Sequence, residues 1–454
     1  MTDAIREAVL AEIRPRPAEL AHLQGVIDRL KPAIEARGVG AMVVGSASRG
    51  TWVRGDRDLD LFLLFPPELD RESLERDGLA IARAIALEHG DGYREKYAEH
   101  PYINATVDGI DVDLVPCYCV ESATGIQSAV DRTPFHTRYV ADRIAGLVDD
   151  VLLLKQFTKA GGVYGSDQMT EGFAGYLCEL LVLRYGSFEN VLEGARGWRP
   201  GTAIDLEGHA AKRFEEPLVV VDPVDPNRNV SASVSLSRMM AFVELARGYL
   251  AAPSTAFFEL RPEPPIPADA FAAGLAARGT ALYALRFPTP NLIEDVVVPQ
   301  LRKSLEGLVQ LLGRHGFAVN RADCEMGPDH CLLVFELLVD TLPAVARHQG
   351  PPLWNGENAA KFREKYAAAP GDGPSAGPFI EDGRYVVEVP RRYRTAEALL
   401  GSEEILGVSL GKNVRRALGK RELLAGVGCW SEEFAPFLGA FLDPASPLVR
   451  LERA

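Results

Sequence analysis

The sequence predicts an α+β protein with three parts: an N-terminal mixed sheet with helices on one side, a mainly helical centre and an α+β C-terminal region. Three observations support this fold class. Residues 58–61 and 110–114 alternate acidic and apolar side chains, as strands with one buried face do. Residues 3–37 and 71–89 instead repeat apolar positions at helical spacing. A proline-rich stretch at 261–267 then separates the last part of the chain.

Two helices lead into the first strand of the N-terminal part. Pro15 and Pro17 divide the helical repeat of residues 3–37, because proline interrupts the hydrogen-bond ladder of a helix. Two glycines then end the second helix. The apolar run that follows at 41–44 is short enough to be a buried strand.

The later strands of this sheet lie between residues 93 and 118. The segment reads as two or three strands, and Asp108-Gly109 is a strong signal for the hairpin turn between two of them. Pro116 is expected to end the last strand, because proline cannot donate a ladder hydrogen bond. The N-terminal sheet and its helices therefore extend to about residue 140.

The remaining chain divides into a helical centre and a mixed C-terminal region. Helical spacing covers 142–185 and 236–249, and a strand with a proline-bounded turn lies between them at 217–226. Beyond the proline-rich stretch, the pattern predicts a strand at 280–287, a helix at 297–315 and further strands. We therefore expect three domains, at residues 1–140, 141–255 and 256–454.

The composition is that of an ordinary globular protein, with 454 residues of which 47% are hydrophobic and 25% charged. No apolar run approaches the ~18 residues that span a membrane, and the N-terminus lacks the layout of a signal peptide. We therefore expect a cytoplasmic protein with no membrane partner. Six scattered cysteines form no C-x-x-C pair and H-E-x-x-H is absent, which argues against a disulfide framework and a zinc site. The sequence leaves the oligomeric state open, a homodimer included.

Charge is unevenly distributed along the chain. The formal net charge is −14, which alone argues against a nucleic-acid partner. Between Arg384 and Arg421, however, nine Lys or Arg stand against four Glu. This basic segment is either a surface for an RNA backbone or a solvated helix face.

Acidic and apolar side chains alternate from residue 58 to residue 61, shortly after a Gly45-Ser46 turn, and an apolar run continues to residue 65. Asp58 and Asp60 project from one face of the strand and the leucines between and after them from the other. Neighbouring carboxylates repel each other, and a divalent cation relieves that repulsion. Mg²⁺ is usually held by one or two carboxylates together with substrate phosphates. The alternative interpretation is an edge strand with a solvated face.

The Gly-Ser turn, the acidic-x-acidic strand and a later acidic strand together resemble the nucleotidyltransferase superfamily typified by DNA polymerase beta. The third acidic residue would come from the strand at 110–116, where Asp111 and Asp113 share a face. Position within the motif favours Asp113, and Asp111 stays the alternative. The resemblance implies a polymerase-beta-like head for the N-terminal part.

Further stretches resemble the archaeal-type (class I) CCA-adding enzymes, which are tRNA nucleotidyltransferases. The similarity runs over essentially the whole chain, and the tract from 97 to 136 is its most specific part. The family commonly has Glu-x-Asp as its acidic pair, whereas Asp58 keeps the charge on a shorter side chain. The stretches that carry the resemblance are YAEHPY at 97–102, DLVPCY at 113–118, SAVDRTPFH at 128–136, GFAGYLCEL at 172–180, VDPVD at 221–225, RNV at 228–230 and LGKNV at 410–414.

The resemblance implies template-independent addition or repair of the 3′-terminal CCA of tRNA from CTP and ATP, with release of pyrophosphate. Asp58 and Asp60 would hold Mg²⁺ against the triphosphate, and Asp113 would help a second metal ion activate the attacking 3′ hydroxyl. Phosphoryl transfer depends on positioning and charge neutralisation, which explains why carboxylates, metal ions and cationic donors cluster. The implied partners are tRNA, CTP and ATP.

Several other residues are expected at the triphosphate. Ser46, with the backbone N–H groups of its turn, and Arg49 would bind phosphate oxygens. Family position places four more side chains there, namely Thr133, His136, Lys155 and Tyr164. Each has an alternative interpretation. Thr133 could start a helix, and His136 could be a packed surface histidine. Lys155 could extend to water, and Tyr164 could anchor a loop.

Base choice without a template requires protein donors and acceptors at the base edge, and an arginine suits that task. Arg228 is the candidate, with Glu99 and His100 as helpers. The alternative for Arg228 is a surface ion pair, which contributes little free energy.

The chain beyond residue 256 is expected to bind the RNA. A-form RNA is recognised through its shape, its phosphates and its 2′ hydroxyls. The candidates for phosphate contacts are Arg391, Arg392, Arg394, Lys412 and Arg415.

Two other functions remain open at this point. A poly(A)- or oligoadenylate-type polymerase would share the three aspartates but should lack the tracts at 99–102 and 133–136. A catalytically inactive tRNA- or nucleotide-binding protein is disfavoured by the intact acidic triplet, because crowded like charges are costly unless a cation uses them. Supplying CTP and ATP singly and together separates these functions.

Overall fold

The chain forms two compact units in the computed structural model, which describes residues 3–56, 58–97, 100–123, 125–367 and 374–453. One unit consists of Met1–Arg261 with Ala445–Ala454, and the other of Pro262–Pro444. The boundary falls at the start of the proline-rich stretch. The return of the chain end to the first unit is not indicated by the sequence pattern.

The first unit opens with a five-stranded mixed sheet in the order β1-β2-β5-β4-β3. Strands β2 and β5 are parallel, and the other neighbours are antiparallel. Helices α2 and α4 pack on the face that carries the leucines of β2. The elements are α1 Asp3–Ile13, α2 Pro17–Glu35, β1 Gly40–Val44, α3 Gly45–Arg49, β2 Asp58–Phe65, α4 Arg71–His89, β3 Gly92–Tyr97, β4 Pro101–Val107 and β5 Ile110–Tyr118.

Pro116 does not end its strand, so that prediction is wrong. Strand β5 continues to Tyr118, and Pro116 lies opposite Leu63 of β2. The pairing of β5 with β4 reaches only as far as Leu114 and Ile103. The N–H that proline lacks is therefore not needed by a β4 partner, which is the condition under which a strand tolerates proline.

The rest of the first unit is mainly helical around an aromatic core. Phe157, Phe188, Phe242 and Tyr249 are fully buried there and pack edge-on against one another. The helical spacing at 142–185 covers two helices, separated by an irregular segment. The elements are α5 Thr133–Ala141, α6 Val148–Ala160, α7 Gly175–Tyr185, α8 Phe188–Ala195, β6 Thr202–Asp205, β7 Leu218–Asp222, β8 Asp225–Asn229, α9 Leu236–Ala251 and, from the chain end, α16 Pro447–Arg453.

The second unit contains two antiparallel sheets, ordered β10-β11-β9-β15 and β12-β14-β13. The long helix α11 packs against the first of these sheets. The elements are α10 Ala268–Arg278, β9 Ala281–Pro288, α11 Glu294–Arg314, β10 Val319–Met326, β11 His330–Leu337, β12 Val345–Pro352, α12 Gly356–Ala367, β13 Ala376–Glu381, β14 Arg384–Pro390, α13 Ala396–Gly401, α14 Lys412–Leu418, β15 Glu422–Ala425 and α15 Ala435–Leu442.

The predicted α+β fold class is confirmed by these elements. The hairpin at Asp108-Gly109 is also present, with both residues in the left-handed conformation that such a turn requires. Within the described ranges, none of the helices is long and apolar enough to cross a bilayer. The six cysteines are free thiols, and Cys119 is the exposed one.

Candidate active site

Four carboxylates lie side by side on one face of the first sheet. Because β2 and β5 are parallel and in register, Asp60 lies opposite Asp113, and Asp58 lies opposite Asp111. Asp58 and Asp111 are exposed, whereas Asp60 and Asp113 are half-buried. The structure thus brings the three predicted ligands onto adjacent strand positions.

Asn104 of β4 holds the carboxylates of β5 in place. It lies opposite Asp113, and its Nδ2 donates to Asp113 Oδ1 at 2.7 Å and to Asp111 Oδ1 at 3.2 Å. Asn104 is not among the site residues predicted from the sequence. Its signal was available, since Asn104 is a polar residue among the buried apolar positions of β4 and shares a face with the aspartates.

Burial and mutual repulsion raise the pKa values of the three aspartates. Burial raises the pKa of Asp60 to about 6, and the carboxylates of Asp113 and Asp58 add to the rise. Burial also raises the pKa of Asp58, followed by repulsion from Asp56, Asp111 and Asp113. For Asp113, burial raises the pKa and outweighs the Asn104 hydrogen bond. A cation bound at this face would offset the repulsion between the carboxylates and lower all three pKa values.

The donor set suits a hard divalent cation whose coordination the substrate completes. Carboxylate oxygens are the ligands that Mg²⁺ prefers, and phosphate oxygens commonly supply part of its shell. In the part of the chain that the structure describes, no three His, Cys, Asp or Glu side chains already surround a metal position. These aspartates therefore fit a metal ion that binds together with a nucleotide.

Gly45 brings the turn after β1 directly against Asp60. Its φ is +69°, and a Cβ built at this position would lie 2.2 Å from Asp60 Oδ2. Only glycine therefore fits between the turn and the carboxylate. Ser46, which follows, is half-buried at the same turn.

A buried ionic network joins α3 to helices α6 and α7. Arg49 Nη2 lies 2.8 Å from Glu179 Oε2, and Lys155 Nζ lies 3.7 Å from Glu179 Oε1. Thr51 Oγ1 donates to Glu179 at 2.5 Å, and Lys155 donates to the Thr51 carbonyl at 2.8 Å. Glu179 is fully buried and Lys155 is 3% exposed, so this lysine does not snorkel to water.

The network holds two cations around one carboxylate. Burial lowers the pKa of Lys155, and the Glu179 carboxylate opposes that change. A buried charge without a partner would be far more costly, so Glu179 keeps both cations in the interior. Glu179 is not among the site residues predicted from the sequence, although it is a single acidic residue within the leucine-rich helix α7.

Asp222 organises a second group of predicted residues. It is fully buried, its Oδ2 lies 2.8 Å from His136 Nε2, and it accepts from Arg228 Nη1 at 2.7 Å. His136 also stacks on Tyr176, with ring centroids 4.3 Å apart. Burial would raise the pKa of Asp222, but the hydrogen bonds and charges of His136 and Arg228 hold it below its ordinary value.

A cavity with a volume of about 570 Å³ lies next to this group, and we call it the base cavity after the role proposed for it below. Arg228 lines it together with Tyr176, Arg132 and Asp225, and Arg132 Nε lies 2.8 Å from Asp225 Oδ2. Arg228 does form the ion pair that was the alternative interpretation. Its partner, Asp222, is fully buried, while the Arg228 side chain is 38% exposed. The arginine is thus fixed at the wall of a cavity.

The other residues expected to contact the nucleotide differ in burial and in the groups they contact. Thr133 is the first residue of α5, and Tyr164 is half-buried, with Lys159 Nζ 5.1 Å from its ring centroid. His100 is buried, and its Nε2 lies 2.6 Å from the Pro116 carbonyl. Glu99 lies outside the described residues.

The basic side chains expected to bind RNA are all in the second unit. Arg391 is half-buried and donates to the carbonyls of His315 and Val345. The other four candidates are exposed, namely Arg392, Arg394, Lys412 and Arg415. Of these, Arg392 pairs with Glu404 at 2.9 Å, and Arg415 donates to the Val408 carbonyl at 2.9 Å.

The pKa of Asp60 predicts a pH-dependent metal affinity. Below about pH 6 this carboxyl is protonated, and a proton then competes with the metal ion for it. We expect the dissociation constant of this face for a divalent cation to rise about tenfold per pH unit below 6 and to level off above it. Mg²⁺ titrations between pH 5 and 7.5 measure this. A constant midpoint over that interval would contradict the assignment of Asp60 as a ligand.

The raised pKa of Asp60 has the opposite effect on the stability of the metal-free protein, which falls as pH rises. The folded-state pKa lies above the ordinary value of 3.8, so ionisation of Asp60 destabilises the metal-free fold as pH rises from about 4 to 6. Asp60→Asn removes that contribution. In EDTA, the melting temperature of Asp60→Asn minus that of the natural protein should therefore be larger at pH 7.5 than at pH 4.

Three family models match successive parts of the chain. A nucleotidyltransferase domain matches residues 26–136, the second domain of tRNA nucleotidyltransferases matches 149–259, and the C-terminal domain of CCA-adding enzymes matches 278–426. The first match covers the strands that carry the aspartates.

Curated relatives match over nearly the full length. The CCA-adding enzyme of Methanoregula boonei is 60% identical over 97% of this chain and 96% of its own. That of Halorubrum lacusprofundi is 46% identical over 96% of this chain and 99% of its own. Among solved structures, the Cid1 poly(U) polymerase aligns at 15% identity and a TM-score of 0.45 over 57% of this chain and 99% of its own. The family assignment rests on the models and the full-length relatives.

Proposed function

The chain belongs to the CCA-adding enzymes, which build the 3′ CCA of tRNA without a template, and from that premise we propose that Asp58, Asp60 and Asp113 bind its catalytic metal ions. Nucleotidyltransferases of this superfamily use divalent metal ions. Mg²⁺ is the ion we propose here, because its preference for carboxylate and phosphate oxygens matches the donor set. The observation that carries the proposal is the register of β2 and β5, which aligns Asp60 with Asp113.

The aspartates would hold the metal ions that position and neutralise the reacting groups. A bound divalent ion supplies charge neutralisation at the triphosphate and lowers the pKa of a coordinated hydroxyl. Asp58 and Asp60 face the donor nucleotide, which is CTP and then ATP. Asp113, oriented by Asn104, faces the attacking 3′ hydroxyl of the tRNA. Asp111, exposed on the same face, remains the alternative third ligand.

The two buried networks bind and orient the triphosphate. Ser46 and the Gly45 turn donate to phosphate oxygens, while Arg49 and Lys155 supply positive charge. With one carboxylate between two cations, the Glu179 network keeps a net positive charge in a medium where charges interact strongly. The residues proposed on the far side of the phosphates are Thr133, His136 and Tyr164.

Arg228 selects the base from the wall of the base cavity. Its fork of donors suits the acceptor atoms of a base edge, and Asp222 fixes its orientation. Glu99 and His100 stay proposed helpers, although His100 is now engaged by the Pro116 carbonyl. The cavity, not the catalytic aspartates, would thus distinguish C and A from U and G.

The second unit would hold the tRNA body through its basic residues. We retain the three domains 1–140, 141–255 and 256–454 as the functional division, with RNA contacts from Arg391, Arg392, Arg394, Lys412 and Arg415. Phosphate contacts of this kind set the position of RNA and weaken with salt. A homodimer and a cytoplasmic location stay predictions.

The reaction is tested with tRNA that ends at the discriminator base and with Mg²⁺. CTP alone should add two residues, and completion should require ATP. Long A tails would instead indicate the poly(A)-type polymerase, an alternative that the family match does not favour. Binding without extension would indicate an inactive tRNA-binding protein.

Asp222→Asn should weaken nucleotide binding selectively. The substitution removes the charge that orients His136 and Arg228, and charge-assisted hydrogen bonds of this kind are worth about 1.5–3 kcal/mol each. We expect the KM for CTP and for ATP to rise at least about tenfold. The KM for tRNA should not change. Steady-state kinetics with each substrate varied in turn measure both constants.

Asp77→Asn is the matched control, because Asp77 is an exposed aspartate on α4 that pairs only with its neighbour Arg76 among the described residues. It should leave both KM values unchanged. An equal rise in the KM for tRNA in Asp222→Asn would instead show a general loss of structure.

A further inference from the structure

A small cavity beside Asp58 is lined, among the described residues, by none of the side chains proposed for the triphosphate or the base. Its volume is about 290 Å³, and it lies between the beginning of α2, the loop that precedes β2 and the turn between β4 and β5. Ala18, Leu23 and Trp52 provide its apolar walls. We call it the α2 pocket.

Most carboxylates around the α2 pocket are already paired. Lys159 Nζ lies 2.6 Å from Asp56, and Arg29 Nη2 lies 2.5 Å from Asp108. Asp58 differs, since the structure shows no hydrogen-bonded cation at its carboxylate within the described residues. The pocket therefore combines apolar walls, neutralised acids and one candidate metal ligand.

Size and charge together limit what can enter. A cavity of about 290 Å³ is at the small end of the range for small-molecule sites, which suits a single nucleoside. No Lys or Arg lines the pocket among the described residues, so the pocket offers no cation to a phosphate group. The residues proposed for the triphosphate are instead cationic, so the two substrates of the reaction would be separated by charge.

His22 supplies an aromatic ring at this pocket. It is exposed on α2, and its Nε2 lies 2.9 Å from the backbone carbonyl of Asp108, which fixes the ring. Unpaired bases of single-stranded RNA stack on aromatic side chains, histidine included. Stacking contributes about 1–3 kcal/mol per base and tolerates any base, as a site for a growing 3′ end requires.

We propose that the α2 pocket receives the 3′-terminal nucleoside of the RNA acceptor, stacked on His22 with its ribose toward Asp58. The inference rests on the proposed function, because it takes the metal site that Asp58 shares with Asp113 as the place where the 3′ hydroxyl attacks. The occupant is neutral apart from its 5′ phosphate, which would remain outside the acidic lining.

Filling the pocket tests the proposal. Ala18 is exposed on α2 and lines the cavity, so Ala18→Phe should obstruct it without disturbing the core. We expect the KM for a tRNA minihelix to rise about tenfold while the KM for CTP stays unchanged. Ala21→Phe is the matched control, since Ala21 is exposed on the same helix but does not line the pocket. Equal effects of the two variants would overturn the proposal.

Photo-crosslinking locates the terminal nucleoside without catalysis. A minihelix that ends in 4-thiouridine, bound in EDTA without nucleotide, should crosslink to peptides that contain His22 or Trp52. Ala18→Phe should abolish these crosslinks, and Ala21→Phe should retain them. Crosslinks only to other peptides would overturn the proposal even if the protein completes CCA. Crosslinks at His22 in a protein that adds no nucleotide would support the pocket and refute the proposed function.

Discussion

Asp60→Asn and Asp113→Asn are each expected to lower nucleotide incorporation by at least about a thousandfold, since a metal ion that loses a charged ligand no longer stabilises the transition state. The two residues are paired across β2 and β5, so either change removes one side of the same site. Affinity for tRNA should stay within about twofold, because the RNA contacts proposed for the second unit are unchanged. Single-turnover extension and a filter-binding assay measure the two quantities.

Asp111→Asn is the matched control for this pair. Asp111 lies on the same strand face as Asp113 but is more exposed, and Asn104 contacts both. We expect Asp111→Asn to retain most of the activity. If Asp113→Asn keeps near-natural turnover and Asp111→Asn loses it, Asp111 is the third ligand.

Gly45→Ala is expected to lower incorporation by about a hundredfold with the fold intact. The new Cβ would lie 2.2 Å from Asp60 Oδ2, so the carboxylate or the turn must move by about an ångström. A misplacement of that size at a reacting centre can cost about a hundredfold in rate. Single-turnover rates measure the loss, and circular dichroism confirms the fold.

Gly50→Ala separates this clash from backbone strain. Gly50 has the same φ of +69°, and a Cβ there meets no atom within 4 Å. Both variants therefore lose roughly 1 kcal/mol of stability through the left-handed conformation, but only Gly45→Ala disturbs Asp60. Equal activity of the two variants would show that the contact between the turn and Asp60 is unimportant.

The elements of the first sheet could be predicted because their signals are local. Alternation of acidic and apolar residues identifies β2 and β5 and puts Asp58 and Asp60 on one face. Pro116 shows the limit of such reasoning. Whether a proline ends a strand depends on whether the neighbouring strand extends that far, and that property belongs to the sheet and not to the segment.

The supporting residues of the site could not be found in the same way. Glu179 and Asp222 each hold two predicted nucleotide residues, yet their partners lie far away in the sequence. An isolated acidic residue in an apolar helix or strand suggests a buried ion pair but does not name its partner. Family position suggested Lys155 and His136, and the need for positive charge and base-edge donors suggested Arg49 and Arg228. The structure shows which carboxylates contact these four side chains.

The C-terminal region was predicted least well. Its strands were expected only in part, and the sheet of β12, β13 and β14 was not anticipated. Sheets of this kind depend on pairing between distant segments, which hydrophobic spacing does not encode. The basic residues could be counted from the sequence, but the carbonyl contacts of Arg391 could not.

Binding of Mn²⁺ in the presence of CTP, followed by electron paramagnetic resonance without RNA, tests the shared metal site most directly. The natural protein should bind Mn²⁺ more tightly with CTP than without it. Asp58→Asn, Asp60→Asn and Asp113→Asn should each weaken that binding at least tenfold, while Asp77→Asn should not. Unchanged Mn²⁺ affinity in all three site variants would show that these strands do not form the metal centre.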